Sequence, residues 1–193
     1  MRVLLLDGDI ILYTSTTQHE TEIDWGEDFW TLTCDFKSVK QTLDQTISDL
    51  VEKTEAEKVE IALSDRENFR KNINPSYKAN RKSSRKPICF VPARDYLIDT
   101  HDTYIRKTLE ADDVMAYAAK HIFDKEVMII SSDKDFLQLV NDRISVYLPT
   151  KKKWMKKEDV KELYGVPSHN LVYYRIFDGD KSDNIPGVRG IGP

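Results

Sequence analysis

Two cysteines in 193 residues, Cys34 and Cys89, are too few for the multi-bridge framework of a small secreted domain, and no C-x-x-C or Cys/His spacing suggests zinc. Histidine is equally sparse: His19, His101, His121 and His169 are scattered and form no ligand spacing. No stretch reaches the roughly 18 apolar residues of a membrane span, and Asp7 and Asp9 interrupt the apolar start before it could serve as a signal peptide. Glycine and proline, seven each, are too few for a collagenous or low-complexity chain. These absences leave the expectation of a soluble, cytoplasmic protein in a reducing compartment. What is present fits that class: 40% apolar residues, 32% charged residues and 19 aromatics make one ordinary globular domain with room for a small appendage.

The net charge of −4 conceals a polarised distribution. Residues 1–60 hold 14 acidic against 5 basic side chains, and residues 61–193 hold 19 against 24. Between Phe69 and Pro87 stand Arg70, Lys71, Lys78, Arg81, Lys82, Arg85 and Lys86 with no acid among them, a surface on which a polyanion could dock. A basic run alone is as often a solvated face.

The apolar run Val3–Leu6 reads as a strand buried on both faces, as in a parallel sheet. Residues 22–36, rich in aromatics and threonine around Gly26, read as a hairpin. Helical spacing of Val39, Leu43, Ile47, Leu50 and Val51 predicts a helix from Ser38 to about Lys53. Strands are expected at Val59–Leu63, near Tyr104, at Val127–Ser131 and at Ile144–Leu148; helices are expected over 93–99, 111–123, 157–164 and 168–177. Pro75, Pro87 and Pro92 act as breakers, and four of the seven glycines cluster between Gly179 and Gly192. Strands alternating with helices predict an α/β fold with a mainly parallel, twisted central sheet flanked by helices. Ligands in such sheets sit beyond the carboxyl ends of the strands.

Asp7, Asp65 and Asp133 all follow predicted strands. One aspartate there is more often a helix cap or turn former than a catalyst. Three in register, joined by Glu110, Asp112 and Asp113 at a helix start and by Asp135, exceed that account, although the helix dipole favours acids at its N-terminus by about 0.3–1 kcal/mol. If they share a cleft, each like-charged pair at about 4 Å costs on the order of 4 kcal/mol at an effective dielectric of 20. Divalent cations relieve that repulsion, and an all-carboxylate donor set suits Mg²⁺, with Mn²⁺ as substitute. A carboxylate-rich metal cleft beside a basic segment is the pairing that phosphodiester hydrolysis requires.

The order Asp65…Phe69-Arg70…Tyr77-Lys78-Ala79-Asn80-Arg81, Glu110-Ala-Asp112-Asp113, Ser132-Asp133-Lys134-Asp135 and Gly179-Asp180-Lys181-Ser182-Asp183-Asn184-Ile185-Pro186-Gly187-Val188-Arg189-Gly190-Ile191-Gly192-Pro193 resembles the flap endonuclease/5′→3′ exonuclease family, whose fold is PIN-like. The Asp7-Gly8-Asp9 opening and the Trp25–Trp30 excursion look closest to its bacteriophage members. The resemblance implies one metal subsite from Asp7, Asp65, Glu110, Asp112 and Asp133, with Asp113 and Asp135 completing or orienting it, and a second from Asp180 and Asp183 with Asp133 and Asp135. Asp9, which is no usual family ligand, stays outside both. Lys78 and Arg81 would contact the scissile phosphate at the base of a helical arch spanning about residues 69–100, with Arg70 on the 5′ strand. Tyr77 would stack on an unpaired base or simply fill the core, and Lys82, Arg85 and Lys86 would hold DNA. Gly187, Gly190 and Gly192 resemble the hairpin of a helix-hairpin-helix element, commonly occupied by K⁺. The implied organisation is a nuclease domain over 1–156 and the truncated start of the helix-hairpin-helix region over 157–193, which makes the chain a fragment of a longer protein.

The activity implied is a two-metal 5′→3′ DNA exonuclease with flap endonuclease or RNase H-like cleavage. Its expected partner is duplex DNA with a 5′ end, nick or flap, or the RNA of a hybrid, bound by a monomer. Two alternatives stay open: a haloacid-dehalogenase-type phosphatase using Asp7 and Asp9, which leaves Glu110–Asp113 and the basic segment without roles, and a non-catalytic DNA-structure-binding protein.

Overall fold

A six-stranded sheet organises the computed structural model, which describes residues 2–81 and 85–190. In chain order, β1 (Arg2–Asp7) leads into α1 (Gly8–Thr17), then a hairpin of β2 (Glu20–Asp24) and β3 (Trp30–Cys34), then α2 (Phe36–Thr54) and β4 (Lys58–Ala62). The short helix α3 (Phe69–Ile73), α4 (Phe90–Thr100) and β5 (Thr103–Tyr104) follow, then α5 (Ala111–Tyr117), which continues as a π-turn to Ile122, and β6 (Glu126–Ile130). A 3₁₀ segment (Lys134–Leu139) precedes β7 (Ile144–Leu148) and β8 (Lys153–Met155), and the chain finishes with α6 (Lys157–Tyr164), α7 (Leu171–Asp178) and a minimal pair of strands, β9 (Gly179–Asp180) and β10 (Ile185–Pro186). The sheet order is β5-β4-β1-β6-β7-β8, parallel except for the antiparallel edge strand β8.

Strand β1 lies between two parallel neighbours, in register Leu6 with Ile61 and Leu6 with Ile130, which is why its apolar run is unbroken. Leu4 and Leu6 face α1, α2 and α4, whereas Val3 and Leu5 face α5, α6 and α7. All four are buried, and truncating any of the three leucines to alanine should cost about 2–5 kcal/mol.

The sequence reading missed α1. Its Ile, Tyr, Thr and Ser residues have modest helix propensity and its apolar positions run together instead of recurring at helical spacing. What holds it is the Asp7 carboxylate, which accepts from the Ile10 amide as the N-cap, and the burial of Ile11, Leu12, Ser15 and Thr16 on one face, while Thr14, Thr16 and Thr17 satisfy their hydroxyls on carbonyls one turn back. Gly8 lets the helix start close to β4, since a β-carbon there would lie 2.8 Å from the Ala62 carbonyl oxygen and 2.7 Å from the Leu63 side chain. The 3₁₀ segment and β8 were also unforeseen. Pro92, read as a breaker, lies in the first turn of α4, where its missing N–H costs nothing. Within the span expected to arch, α4 is a core helix, with Ala93 and Leu97 fully buried. Cys34 and Cys89 are free thiols, and among the described residues no helix is long and apolar enough to cross a membrane.

Candidate active site

Strands β1, β4 and β6 end at one edge of the sheet, and each delivers acids or hydroxyls there. Asp7 closes β1, where one oxygen caps α1 and the other accepts from the Ser131 hydroxyl just past β6, at 2.8 Å. The same hydroxyl accepts the Asp133 amide at 3.0 Å. Past β4, the Ser64 amide donates to Asp9 at 3.0 Å and its hydroxyl accepts from the Ala111 amide at 2.9 Å, which anchors the start of α5. Glu110 precedes that helix and Asp112 stands in its first turn. The last wall is the 3₁₀ turn Lys181–Asp183 after β9, capped by Asp180.

These elements enclose a cleft of about 760 Å³ lined by Asp7, Asp9, Glu110, Asp112, Asp133, Asp180 and Asp183 together with Lys78, Arg81, Lys134 and Arg175. Six of the nine metal ligands expected from sequence therefore meet in one cleft. The other three lie around it. Asp65 spends its oxygens on the amides of Arg66 and Thr108, at 2.8 and 2.7 Å, and lines a smaller adjoining pocket with Lys71, Lys78, Arg81 and Lys86. Asp113 is held by both terminal nitrogens of Arg70 at 2.7 Å. Asp135 accepts from Arg175 at 2.8 Å.

The basic residues are as ordered as the acids. The Lys78 ammonium is 2.5 Å from Glu110, and Arg81 pairs with Asp183. Residues 76–81 are clamped to the 180–184 turn by hydrogen bonds from the Lys78 amide to the Asp183 carbonyl (3.0 Å), from Asn80 and Arg81 to the Ser182 carbonyl (both 3.3 Å), and from Asn184 back to the Ser76 carbonyl (3.0 Å). Lys78 and Asn184 hold left-handed backbone at this junction, φ 53° and 59°. Tyr77 is 6% exposed, donates its hydroxyl to Glu110 at 2.7 Å with Asp183 3.2 Å away, and has the Arg70 and Lys78 cations 6.0 and 4.9 Å from its ring centre. Arg85 makes a two-pronged pair with Glu20 of the β2–β3 hairpin, both contacts at 2.8 Å, and the Lys86 ammonium rests 4.6 Å from the centre of the Phe90 ring. Gly187 is required by packing within the chain, because a β-carbon there would strike the Phe177 and Asp178 carbonyls. Gly190 has φ +82°, and among the described residues nothing lies within 4 Å of where a β-carbon would stand. Lys82 and Gly192 lie outside the described residues.

Arg175 escapes a reading of the sequence because it stands far from the basic run. Its signal was a lone arginine on the amphipathic helix α7, five positions before Asp180. Ser64 and Ser131, which aim the carboxylates, gave no signal beyond their position after a strand.

The charge balance differs along the cleft. Burial resists ionisation of Glu110, but hydrogen bonds from Lys78 and Tyr77 outweigh it and leave its carboxyl below the ordinary range. Burial likewise opposes ionisation of Asp113 and Asp180, and the bonds from Arg70 and from Ser182, with the Arg175 charge, prevail. Asp7 and Asp112 have no ion pair among the described residues. Burial, opposed by the Ser131 bond and aided by the Asp9 charge, pushes Asp7 up to about 6; burial and the charges of Glu110 and Asp113 push Asp112 up to about 7. Among the described residues, no three acidic, histidine or cysteine side chains already converge as a finished metal centre. The cleft is instead an acidic wall partly neutralised by the protein's own cations. Its under-neutralised Asp7 and Asp112 are hard oxygen donors that fit a divalent ion.

Residues 2–165 match the sequence model of the 5′-3′ exonuclease, N-terminal resolvase-like domain. The chain belongs to this family. Relatives within and around this 5′-3′ exonuclease family include the exonuclease of Escherichia phage T7, 32% identical over 148 residues that make up 72% of this chain and 49% of the phage protein. A flap endonuclease Xni of Pseudoalteromonas translucida is 40% identical over 85 residues, 43% of this chain and 33% of that one. The chain thus spans about half the length, or less, of these curated relatives. Among solved structures, T5 5′-exonuclease with divalent metal ions (zinc) bound superposes with a TM-score of 0.74 at 24% identity, covering 100% of this chain and 72% of that one. The catalytic core of Rad2 in complex with DNA substrate gives 0.57 at 15%, covering 99% and 58%. The fold of this family member is therefore that of the 5′-nucleases, as expected. The family match favours the nuclease reading over the phosphatase and the non-catalytic binder. The 5′-3′ exonuclease match ends at residue 165, so the part played by Arg175, Asp180 and Asp183 rests on the cleft geometry.

Proposed function

We propose that this chain carries the catalytic domain of a divalent-metal-dependent 5′→3′ nuclease that hydrolyses phosphodiester bonds in DNA bearing a 5′ end, nick or flap. The observation that carries the reading is one cleft, at the carboxyl edge of the parallel sheet, in which six of the expected metal-ligand acids meet Lys78 and Arg81. Asp7, Glu110, Asp112 and Asp133 would hold one metal ion and Asp180 and Asp183, with Asp133 and Asp135, a second. Mg²⁺ is the ion of choice, with Mn²⁺ as substitute. When bound, such ions supply an activated water and charge neutralisation at the phosphate. The chain's own contribution is placement. Ser131 and Ser64 fix the acids, and Lys78 and Arg81, held at the cleft by the clamp to residues 180–184, offer their charge to the non-bridging oxygens of the scissile phosphate.

Arg70, Lys86 and the basic pocket beside Asp65 would track the 5′ strand, and the Gly187–Gly192 region would extend the duplex grip, with K⁺, in a longer protein. The working form would be a cytoplasmic monomer. The test uses 5′-labelled nicked, flapped and blunt DNA, and an RNA–DNA hybrid, with Mg²⁺ or with EDTA. Cleavage should need the metal and should fall at least a hundredfold in Asp133→Asn, with circular dichroism unchanged. Full turnover in EDTA or in that variant would overturn the reading.

A further inference from the structure

One guanidinium lining the cleft, outside the basic run, ties together two acids of the second expected metal subsite. Arg175 projects from α7 with its side chain 24% exposed, donates from Nε to Asp135 at 2.8 Å and pairs through a terminal nitrogen with Asp180. Its third nitrogen comes only to 4.0 Å from Asp178. Asp135 arrives from the 3₁₀ segment after β6 and Asp180 from β9, so a single cation links acids from two elements that are 45 residues apart in sequence. Lys78 makes a comparable link deeper in the cleft, to Glu110 at 2.5 Å and Asp183 at 3.7 Å, whereas Arg70 holds Asp113 and Glu110 and Arg81 holds Asp183.

We infer that Arg175 is a positioning residue that acts as an internal counter-ion, occupying the place between Asp135 and Asp180 that a divalent cation takes when it binds, and holding the two carboxylates together until then. The inference rests on the metal-dependent nuclease reading and assigns a role to a residue outside it. Without a cation between them, two carboxylates gathered in a part-buried cleft repel, and they would turn outward to water. The guanidinium fork prevents this at modest affinity. A divalent ion carries twice the charge and approaches carboxylate oxygen at about 2.0–2.1 Å for Mg²⁺ or about 2.3–2.6 Å for Ca²⁺, so its attraction per carboxylate is about two- to threefold that of the fork at hydrogen-bond distance. It therefore wins the site, but only after breaking the bridge. Arg175 thus preserves the shape of the subsite while lowering its affinity.

The consequence is a paired effect that a merely structural ion pair does not give. Arg175→Gln should melt at a lower temperature than the native chain without metal, yet bind Ca²⁺ roughly tenfold more tightly, equivalent to about 1.4 kcal/mol of relieved competition. Isothermal titration with Ca²⁺ reads the affinity without any turnover, and circular dichroism reads the fold. Arg175→Lys, which keeps the charge but cannot fork, should fall between the two, and it decides the question if the glutamine variant does not fold. Ca²⁺ affinity unchanged or weakened in a folded variant would overturn the inference alone. A native chain that takes up neither Ca²⁺ nor Mn²⁺ would overturn the nuclease reading, and the inference with it.

Discussion

At the scale of single residues, the acids of the cleft divide into two populations with opposite pH behaviour. Glu110, Asp113 and Asp180 are stabilised in their ionised form, so their contribution to folding is present above the ordinary carboxyl range and is lost as pH falls through their lowered values. Asp7 and Asp112 run the other way. With folded values of about 6 and about 7, their protonated forms suit the fold, and the stability they contribute is full below the ordinary carboxyl value and lost as pH rises through 6 and 7. The metal-free protein should therefore gain on the order of 4 kcal/mol between pH 8 and pH 5, the larger share from Asp112. Asp112→Asn should remove most of that gain and raise stability at pH 8; urea titrations at the two pH values measure both. Equal gains in the native chain and the variant would show that Asp112 is not the strained acid. Lys78 poses a kinetic question. If its ammonium leaves Glu110 for phosphate, Lys78→Ala should slow single-turnover cleavage by about 10²–10³-fold while changing DNA affinity little. Unchanged cleavage at saturating enzyme would reduce Lys78 to a landing contact.

Elements carry the next level of explanation, and here legibility varied with physical cause. Strands β1 and β6 were readable because burial on two faces demands unbroken apolar runs, β7 because its buried Ile144, Val146 and Leu148 alternate with half-buried Ser145 and Tyr147, and α2 because a half-buried helix must repeat its apolar positions. Helix α1 was not readable, since its Asp7 cap and its tertiary burial hold it while its threonines, bonded back to its own carbonyls, lend it no propensity. The site followed the same division. Residues fixed by strand ends and helix starts, such as Asp7 and Glu110, could be placed from the sequence. Which cation meets which acid could not, because Arg70 with Asp113 and Arg175 with Asp135 are pairs made only when distant elements pack. The junction of α7 with β9 and β10 offers a direct check. Gly187 lies against the end of α7, where its neighbour Val188 donates to the Phe177 carbonyl at 2.8 Å. Gly187→Ala should push β10 off β9 and misplace Asp180 and Asp183. Ca²⁺ binding should then weaken, with little loss of overall helix content. Native Ca²⁺ affinity in this variant would mean that the strand pair does not set the position of the turn.

Across the whole molecule, the acidic first third and the basic remainder are not segregated in space. Glu20 of the hairpin takes hold of Arg85, and the cleft interleaves acids from β1 with cations from residues 78 and 81. Metal and polyanion should therefore support each other: Ca²⁺ should tighten nicked duplex binding by neutralising the acids and freeing their basic partners, and a filter-binding series with and without Ca²⁺ should show it. The hairpin has one further consequence, which is optical. Of the three tryptophans, Trp25 and Trp30 stand on it at 63% and 56% exposure, with the Trp25 indole bonded to Thr31 of the same hairpin, and only Trp154 packs against the sheet, on Tyr147. Emission of the folded protein should already be red-shifted, and acrylamide should quench about two-thirds of it before any denaturant is added. A melting curve followed by fluorescence would chiefly watch a peripheral ribbon, so the core of this protein is better followed by its backbone dichroism.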